Sequence, residues 1–294
     1  MGMLLLKLAP AAIHLKNVNV ICNALYNQAQ NMQRTGVCFH PPVPHFVSFY
    51  TTIIKMKVLY LILFATLLIA FAAPKKHHIL VFTKTTGFRH SSIPAGKAAI
   101  LLLGKQNGFI VDTTEDASLF TTANLKKYKA VVFLNTTGNN FLDSAQKAAF
   151  QNYIRRGGGY VGVHGATDAE YEWAWYGKLA GGRFQGHPAE QVAKVAVANG
   201  KHASTKNLPQ VWERKDEWYN FKDLNPDVRV LLTLDEDSYK GGTHGGNHPV
   251  AWCHNYDGGR AFYTALGHTE ESYSEALYLK HLLGGIQYAM GSKK

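Results

Sequence analysis

Five histidines fall in polar segments beside apolar runs: His90, His164, His187, His248 and His268. Neutral imidazole is the commonest metal ligand and titrates near neutrality, so a group of histidines can hold a divalent ion such as zinc or move protons. His164 sits in Gly162-Val163-His164-Gly165-Ala166, with glycine two before it and one after. Small neighbours of that kind let one side chain project from a sharp strand-to-helix turn, as in a nucleophile elbow. Here the projecting group is an imidazole. Cys253 lies inside an apolar run with no such turn, so acyl-enzyme chemistry lacks its nucleophile. No two of the five histidines have the His-x-x-x-His spacing of a helical zinc site. A metal ion would have to draw on separate segments, with His164 and His268 as the first candidates.

Carboxylates stand near some of these positions. Asp168, four residues after His164, either orients that imidazole or caps a following helix. Glu217 lies between Asp216 and Trp218-Tyr219. A carboxylate beside aromatic rings suits a sugar site, where Trp218 and Tyr219 would stack on the sugar and Glu217 would move protons. The bland alternative is an exposed charge on an edge strand. For His90 and His187 the alternative to ligand binding is a hydrogen-bonding role that fixes loops. Asn135 opens the sequon Asn135-Thr136-Thr137, but its place at the end of an apolar strand predicts an unmodified side chain lining a cleft.

Strand and helix signals alternate along the chain that must position these groups. His77–Lys84, Phe109–Asp112, Tyr128–Asn135 and Tyr160–His164 read as strands, the last two as continuous apolar runs of the kind buried in parallel sheets. Ile93–Gln106 has helical spacing, and Ser144–Arg156 is an amphipathic helix with Asp143 as its N-cap and Gly157-Gly158-Gly159 at its end. This rhythm predicts an α/β fold with a parallel sheet and helices on both faces. The second half is richer in strands: Val192–Val197, Val211–Arg214, Arg229–Leu234, Val250–His254 and Arg260–Leu266, closed by a helix over Tyr273–Met290. The polar loops 83–90, 135–138, 164–168 and 267–270 all follow strands, so they fall on the carboxyl rim where open parallel sheets bind ligands.

The N-terminal part reads differently. Residues 1–55 carry no acidic residue and show neither helical nor strand periodicity. Met56-Lys57, the apolar run Val58–Phe71 and Ala70-Phe71-Ala72 together form a signal peptide over 56–72, too short to span a bilayer. The expectation is that Met56 is the start, that residues 1–55 are a disordered extension of the gene model, and that the mature domain covers 75–292. Such a protein is secreted, or periplasmic in a bacterium, with no stable membrane insertion after cleavage. The formal charge of +11 contains five basic residues before Lys75. Those that remain are scattered, which argues against a nucleic-acid partner. Only Cys253 follows Met56, so the domain has no internal disulfide.

Seven stretches resemble the ThuA-like (trehalose utilisation) family and occur in its order: His78–Ser91, Val131–Gly138, Gly157–Asp168, Gly181–Pro188, Asp216–Phe221, His248–Trp252 and Gly258–Thr269. The resemblance implies the flavodoxin-like sheet of the class I glutamine amidotransferase-like superfamily, with extra edge strands. His164 then stands where amidotransferases carry their cysteine, and His268-Thr269-Glu270 resembles their His-Pro-Glu element. Glutaminase activity would be lost and the cleft reused. The family name implies a small-molecule carbohydrate as ligand, with a keto-sugar, disaccharide or glycoside as substrate for hydrolysis or isomerisation. In that reading His164, His268, Asp168 and Glu217 are catalytic. His90, Asn135, His187, Trp218, Tyr219 and His248 bind substrate, and His164 and His268 are the metal candidates. A non-catalytic carbohydrate-binding protein and a metal-dependent hydrolase of another small substrate are the two alternatives.

Overall fold

The computed structural model describes residues 76–293, together with Lys57. The expected extension over 1–55 and, Lys57 apart, the expected signal peptide over 56–72 lie outside the described residues. Five parallel strands form the heart of a nine-stranded sheet: β1 (His78–Phe82), β2 (Ile110–Thr114), β3 (Ala130–Leu134), β4 (Gly159–Val163) and β11 (Gly259–Thr264). Their order, β2-β1-β3-β4-β11, is the flavodoxin-like order. Every residue of β3 and β4 is buried, as a strand covered on both faces requires. Four antiparallel strands extend the sheet beyond β11: β10 (His248–Tyr256), β9 (Arg229–Leu234), β6 (Gln191–Val197) and β7 (Val211–Asp216). They are the extra edge strands expected from the second half of the sequence. A small separate pair, β5 (Arg183–Gly186) and β8 (Asn220–Lys222), has no counterpart in the sequence reading.

Helix α1 (Ile93–Asn107) packs with α5 (Ala276–Ala289), while α2 (Thr122–Leu125) packs with α3 (Ser144–Arg155). A fifth helix, α4 (Ala174–Ala180), follows β4. Asp143 caps α3 through a capping box: its carboxylate accepts from Gln146 N at 2.8 Å and the Gln146 side chain accepts from Asp143 N at 2.9 Å. The closing helix starts at Ala276 rather than Tyr273, because a 3₁₀ turn over Glu271–Ser274 precedes it. Phe82, Phe120, Phe133, Phe141 and Phe150 interlock beneath the sheet, with centroid separations from 4.7 to 6.2 Å. This core fixes β1, β3 and α3 relative to one another. Among the described residues no helix is long and apolar enough to cross a membrane.

The carboxyl ends of β1 and β3 meet through their loops. Thr86 N and Gly87 N donate to Thr137 O, and Gly138 N donates to Asp168 O. Gly138 has φ +85°, and a Cβ there would run into the Gly87 amide and Thr86. Gly138→Ala combines backbone strain with that collision, so a loss of about 1–3 kcal/mol is expected. A thermal midpoint lowered by several degrees would show it, and an unchanged midpoint would mean that the loops re-pack freely.

Candidate metal centre and active site

His164 projects from the turn between β4 and a 3₁₀ segment, His164–Thr167. Its φ of 44° is left-handed, a conformation that costs a non-glycine residue roughly 1–2 kcal/mol and persists where the surroundings enforce it. The next residue has to be glycine, because a Cβ on Gly165 would lie 2.9 Å from Thr137 Cγ2 and 3.2 Å from His90 Cε1. The elbow expected from the glycine spacing is therefore built, with an imidazole at its tip.

Three ligand atoms converge there. His164 Nε2 lies 3.1 Å from His268 Nδ1 and 3.3 Å from Glu217 Oε2, and His268 Nδ1 lies 3.2 Å from Glu217 Oε2. His90 joins them, with one ring nitrogen of a set whose four donor atoms all lie within 4.8 Å of one another. These residues come from the loop after β1, the end of β4, the segment after β7 and the end of β11. The sheet therefore assembles what no stretch of sequence holds.

The outer nitrogens decide what the inner ones carry. His164 Nδ1 is 2.7 Å from the Ala265 carbonyl, which can only accept, so Nδ1 holds the proton and donates. His268 Nε2 faces Glu190 Oε1 at 3.2 Å and likewise donates. Each neutral ring then turns its lone pair inward, onto the lone pairs of Glu217. Three lone pairs repel at these distances unless a cation or an extra proton sits among them. Donor atoms about 2.1 Å from a common ion stand roughly 3.0 Å apart in octahedral and ~3.4 Å apart in tetrahedral geometry. The observed separations fall between the two. A ligand imidazole whose other nitrogen donates to a carbonyl or carboxylate is the usual arrangement at metal sites. The residues present thus fit a divalent ion such as zinc, with His164, His268 and Glu217 as ligands and His90 as the fourth.

The electrostatics describe the ion-free centre, where an extra proton takes the cation's place. Burial, with His164 and His268 close by, pushes His90 down to about 3, so it stays neutral and ligand-competent. Its Nδ1 is buried without a hydrogen-bond partner. Burial alone would raise the Glu217 carboxyl. Hydrogen bonds and charge from His164 and His268 overrule it and hold the group well below the usual carboxylate range. For His268 burial works downward, but Glu217, with Asp216 and Glu190, raises it above the ordinary histidine value.

The other expected residues take different places. His187 Nδ1 lies 3.0 Å from Glu217 Oε1 and 3.0 Å from the Pro188 carbonyl. Both partners accept, so its Nε2 carries the lone pair on a ring that is 40% exposed. Asp168 makes no hydrogen bond to His164 and is not the N-cap of the following helix, a place that Trp173 takes. Its carboxylate accepts from the Tyr171 hydroxyl at 2.7 Å, and burial raises its pKa. Trp218 and Tyr219 cannot stack on a sugar, because they are 0% and 3% exposed. Trp218 Nε1 donates to the Gln191 carbonyl at 2.8 Å, while the Tyr219 ring lies 4.1 Å from that of His164 and backs this candidate ligand. His248 is fully buried behind them, donating from Nε2 to the Tyr219 carbonyl at 2.8 Å and meeting Glu236 through Nδ1 at 2.8 Å. Asn135 is buried too, and its amide donates to Ser92 Oγ at 3.0 Å rather than facing a cleft. Glu270 is exposed, and the carboxylates on His268 are Glu190 and Glu217.

Two site residues escaped the sequence reading. Glu190 fixes the His268 tautomer. Asp216, fully buried, accepts from Gly267 N at 2.9 Å, His268 N at 3.1 Å and Glu217 N at 3.0 Å, and pairs with Arg214 at 3.1 Å. It anchors the backbone under two of the four candidate ligands, Glu217 and His268. A cavity of about 450 Å³ opens beside His268, lined by Ser91, Glu190, Lys215, Thr269 and two further glutamates. It lies within the usual range of small-molecule sites.

A family model described as trehalose utilisation, ThuA, matches residues 78–289. Among solved structures, a ThuA-like protein from Bacteroides uniformis is 27% identical with a TM-score of 0.64, covering 76% of this chain and 95% of its own. A second, from Parabacteroides merdae, is 20% identical with a TM-score of 0.60, covering 74% and 91%. An α-L-fucosidase from Paenibacillus thiaminolyticus shares the fold at 14% identity and a TM-score of 0.50, over 72% of this chain and 33% of that one. No curated protein matches the sequence.

Proposed function

Because the chain belongs to the ThuA, trehalose-utilisation family, we propose that it is a secreted, metal-assisted enzyme acting on a carbohydrate. The observation that carries this reading is the convergence of lone pairs from His164 Nε2, His268 Nδ1 and Glu217 Oε2. A keto-sugar, disaccharide or glycoside is the substrate class, and hydrolysis or isomerisation the reaction. Export through the signal peptide starting at Met56 belongs to the same proposal, supported by the basic start, apolar core and Ala-Phe-Ala site.

A divalent ion held there would supply Lewis acidity toward a carbonyl or hydroxyl oxygen. The chain's own residues supply the rest. His164 and His268 hold their inner lone pairs in place through Ala265 and Glu190. His187, hydrogen-bonded to Glu217 Oε1, offers Nε2 as a half-exposed base. Asp168, whose pKa is raised by burial, is a carboxyl outside the ligand set that could exchange a proton. The test compares chelated with metal-restored protein on a panel of carbohydrates and their keto derivatives. Turnover restored only with metal supports the reading. Binding without turnover in both states would favour a carbohydrate-binding protein, and turnover independent of metal would remove the ion from the account.

The pH dependence follows in sign. In metal-free protein the raised His268 stabilises the fold below its ordinary value of 6.5. That contribution is lost as pH rises through the raised value. The lowered Glu217 stabilises above its ordinary 4.5, and that contribution is lost as pH falls through the lowered value. Metal binding must expel the His268 proton. The gap in thermal midpoint between metal-loaded and chelated protein should therefore widen as pH rises from 5 to 8. A constant gap would mean that no proton leaves His268.

A further inference from the structure

We propose that Phe88 is a stacking subsite for a second ring of the ligand, a sugar or an aromatic aglycone, attached to the unit held at the His164–His268–Glu217 centre. Phe88 is 65% exposed, more than any other large apolar side chain among the described residues. Single exposed apolar residues are common and mean little alone. What distinguishes Phe88 is how firmly it is held and where. Its carbonyl accepts from Thr137 Oγ1 at 2.5 Å, and the preceding Thr86 and Gly87 amides both donate to Thr137 O. The following Arg89 is clamped in two-pronged fashion by Glu115, at 2.8 and 3.2 Å. His90 then turns inward and is buried. Three consecutive residues are thus directed three ways, and the ring left facing solvent belongs to the loop that delivers a metal ligand.

A line of rings leads from that surface to the centre. Phe88 packs edge-to-face on His90 at 4.8 Å, and His90 lies 4.9 Å from His164 and 5.1 Å from His268. Phe88 thus stands one ring, His90, away from His164 and His268, within about 10 Å of both by the sum of two stacking separations. A unit held at His164, His268 and Glu217 would leave Phe88 to a second ring attached to it. The expected stacking residues, Trp218 and Tyr219, are buried, which leaves Phe88 as an aromatic face open at this rim. The polar face of the sugar would meet the loop residues, and its C–H face the ring.

This inference rests on the carbohydrate reading of the site. The test measures binding of disaccharides and p-nitrophenyl pyranosides beside the matching methyl pyranosides, on metal-loaded full chain and its Phe88→Ala and Phe88→Tyr variants. Phe88→Ala should weaken the two-ring ligands about tenfold and leave the methyl pyranosides and the metal content unchanged, while Phe88→Tyr should bind like the parent. Loss confined to the aryl glycosides would mark the second ring as an aglycone, and loss on the disaccharides as a sugar. Equal loss on one-ring and two-ring ligands, or none on either, would overturn the subsite. Failure of the parent protein to bind any member of the panel would overturn the carbohydrate reading and this inference with it.

Discussion

Glu217→Gln should lower divalent-ion affinity by more than about 100-fold while the protein stays folded. Glutamine keeps the shape and the backbone hydrogen bond to Asp216, but it removes the one negative charge among the three converging ligand atoms. Replacing the outer partner of a ligand already costs 10–100-fold in affinity, so loss of a ligand itself should exceed that. Glu190 offers the graded control. Its carboxylate receives the His268 Nε2 proton through Oε1 and pairs with Lys215 through Oε2, without reaching the ion. Glu190→Ala should therefore fall within the 10–100-fold range, and Glu190→Gln, which keeps an acceptor oxygen, nearer the parent. Isothermal titration with zinc on chelated protein gives all three values. An ion bound as tightly by Glu217→Gln as by the parent would take the carboxylate out of the coordination sphere.

Asp216→Asn should carry the largest stability loss. The carboxylate is buried, pairs with the equally buried Arg214, and collects the amides of Glu217, Gly267 and His268. Removing one member of a buried ion pair typically costs 3–5 kcal/mol, because the other charge is left behind. For a domain of the size of 78–289, about 2–4 °C of thermal midpoint goes with each kcal/mol, so a drop of roughly 6–20 °C is expected. The double variant Asp216→Leu with Arg214→Met separates two roles. Replacing both charges by apolar groups should return much of the stability. The amides of Gly267 and His268 would still lack their anchor, and metal affinity should stay low. Recovery of both together would reduce Asp216 to a stability role.

Much of this arrangement could be read from residue order. The apolar runs at β3 and β4 announce strands covered on both faces, and Asp143 as N-cap announces α3. The glycine spacing around His164 announces the elbow, although the contacts that demand Gly165, with Thr137 and His90, come from distant loops. Trp218 and Tyr219 were misread for a local reason. Strand β7 alternates exposed and buried residues up to Asp216, then Glu217, Trp218 and Tyr219 are all buried, so the alternation that would have put one ring in solvent stops there. His248 begins a strand whose first seven residues are buried, and a histidine in such a run packs rather than binds. Asp216 and Glu190 were invisible because their partners are distant. Asp216 serves amides about fifty residues later, and Glu190 meets His268 from 78 positions away in the sequence. Long-range hydrogen bonds leave no periodicity to read.

The measurement that bears most directly on the account is the metal content of the purified protein by mass spectrometry, beside His164→Ala and Glu217→Gln. The expected result is close to one divalent ion per parent chain and none held by either variant. A folded parent chain that retains no ion after loading with zinc, manganese or iron would contradict it, and the converging lone pairs would then have to be bridged by a proton.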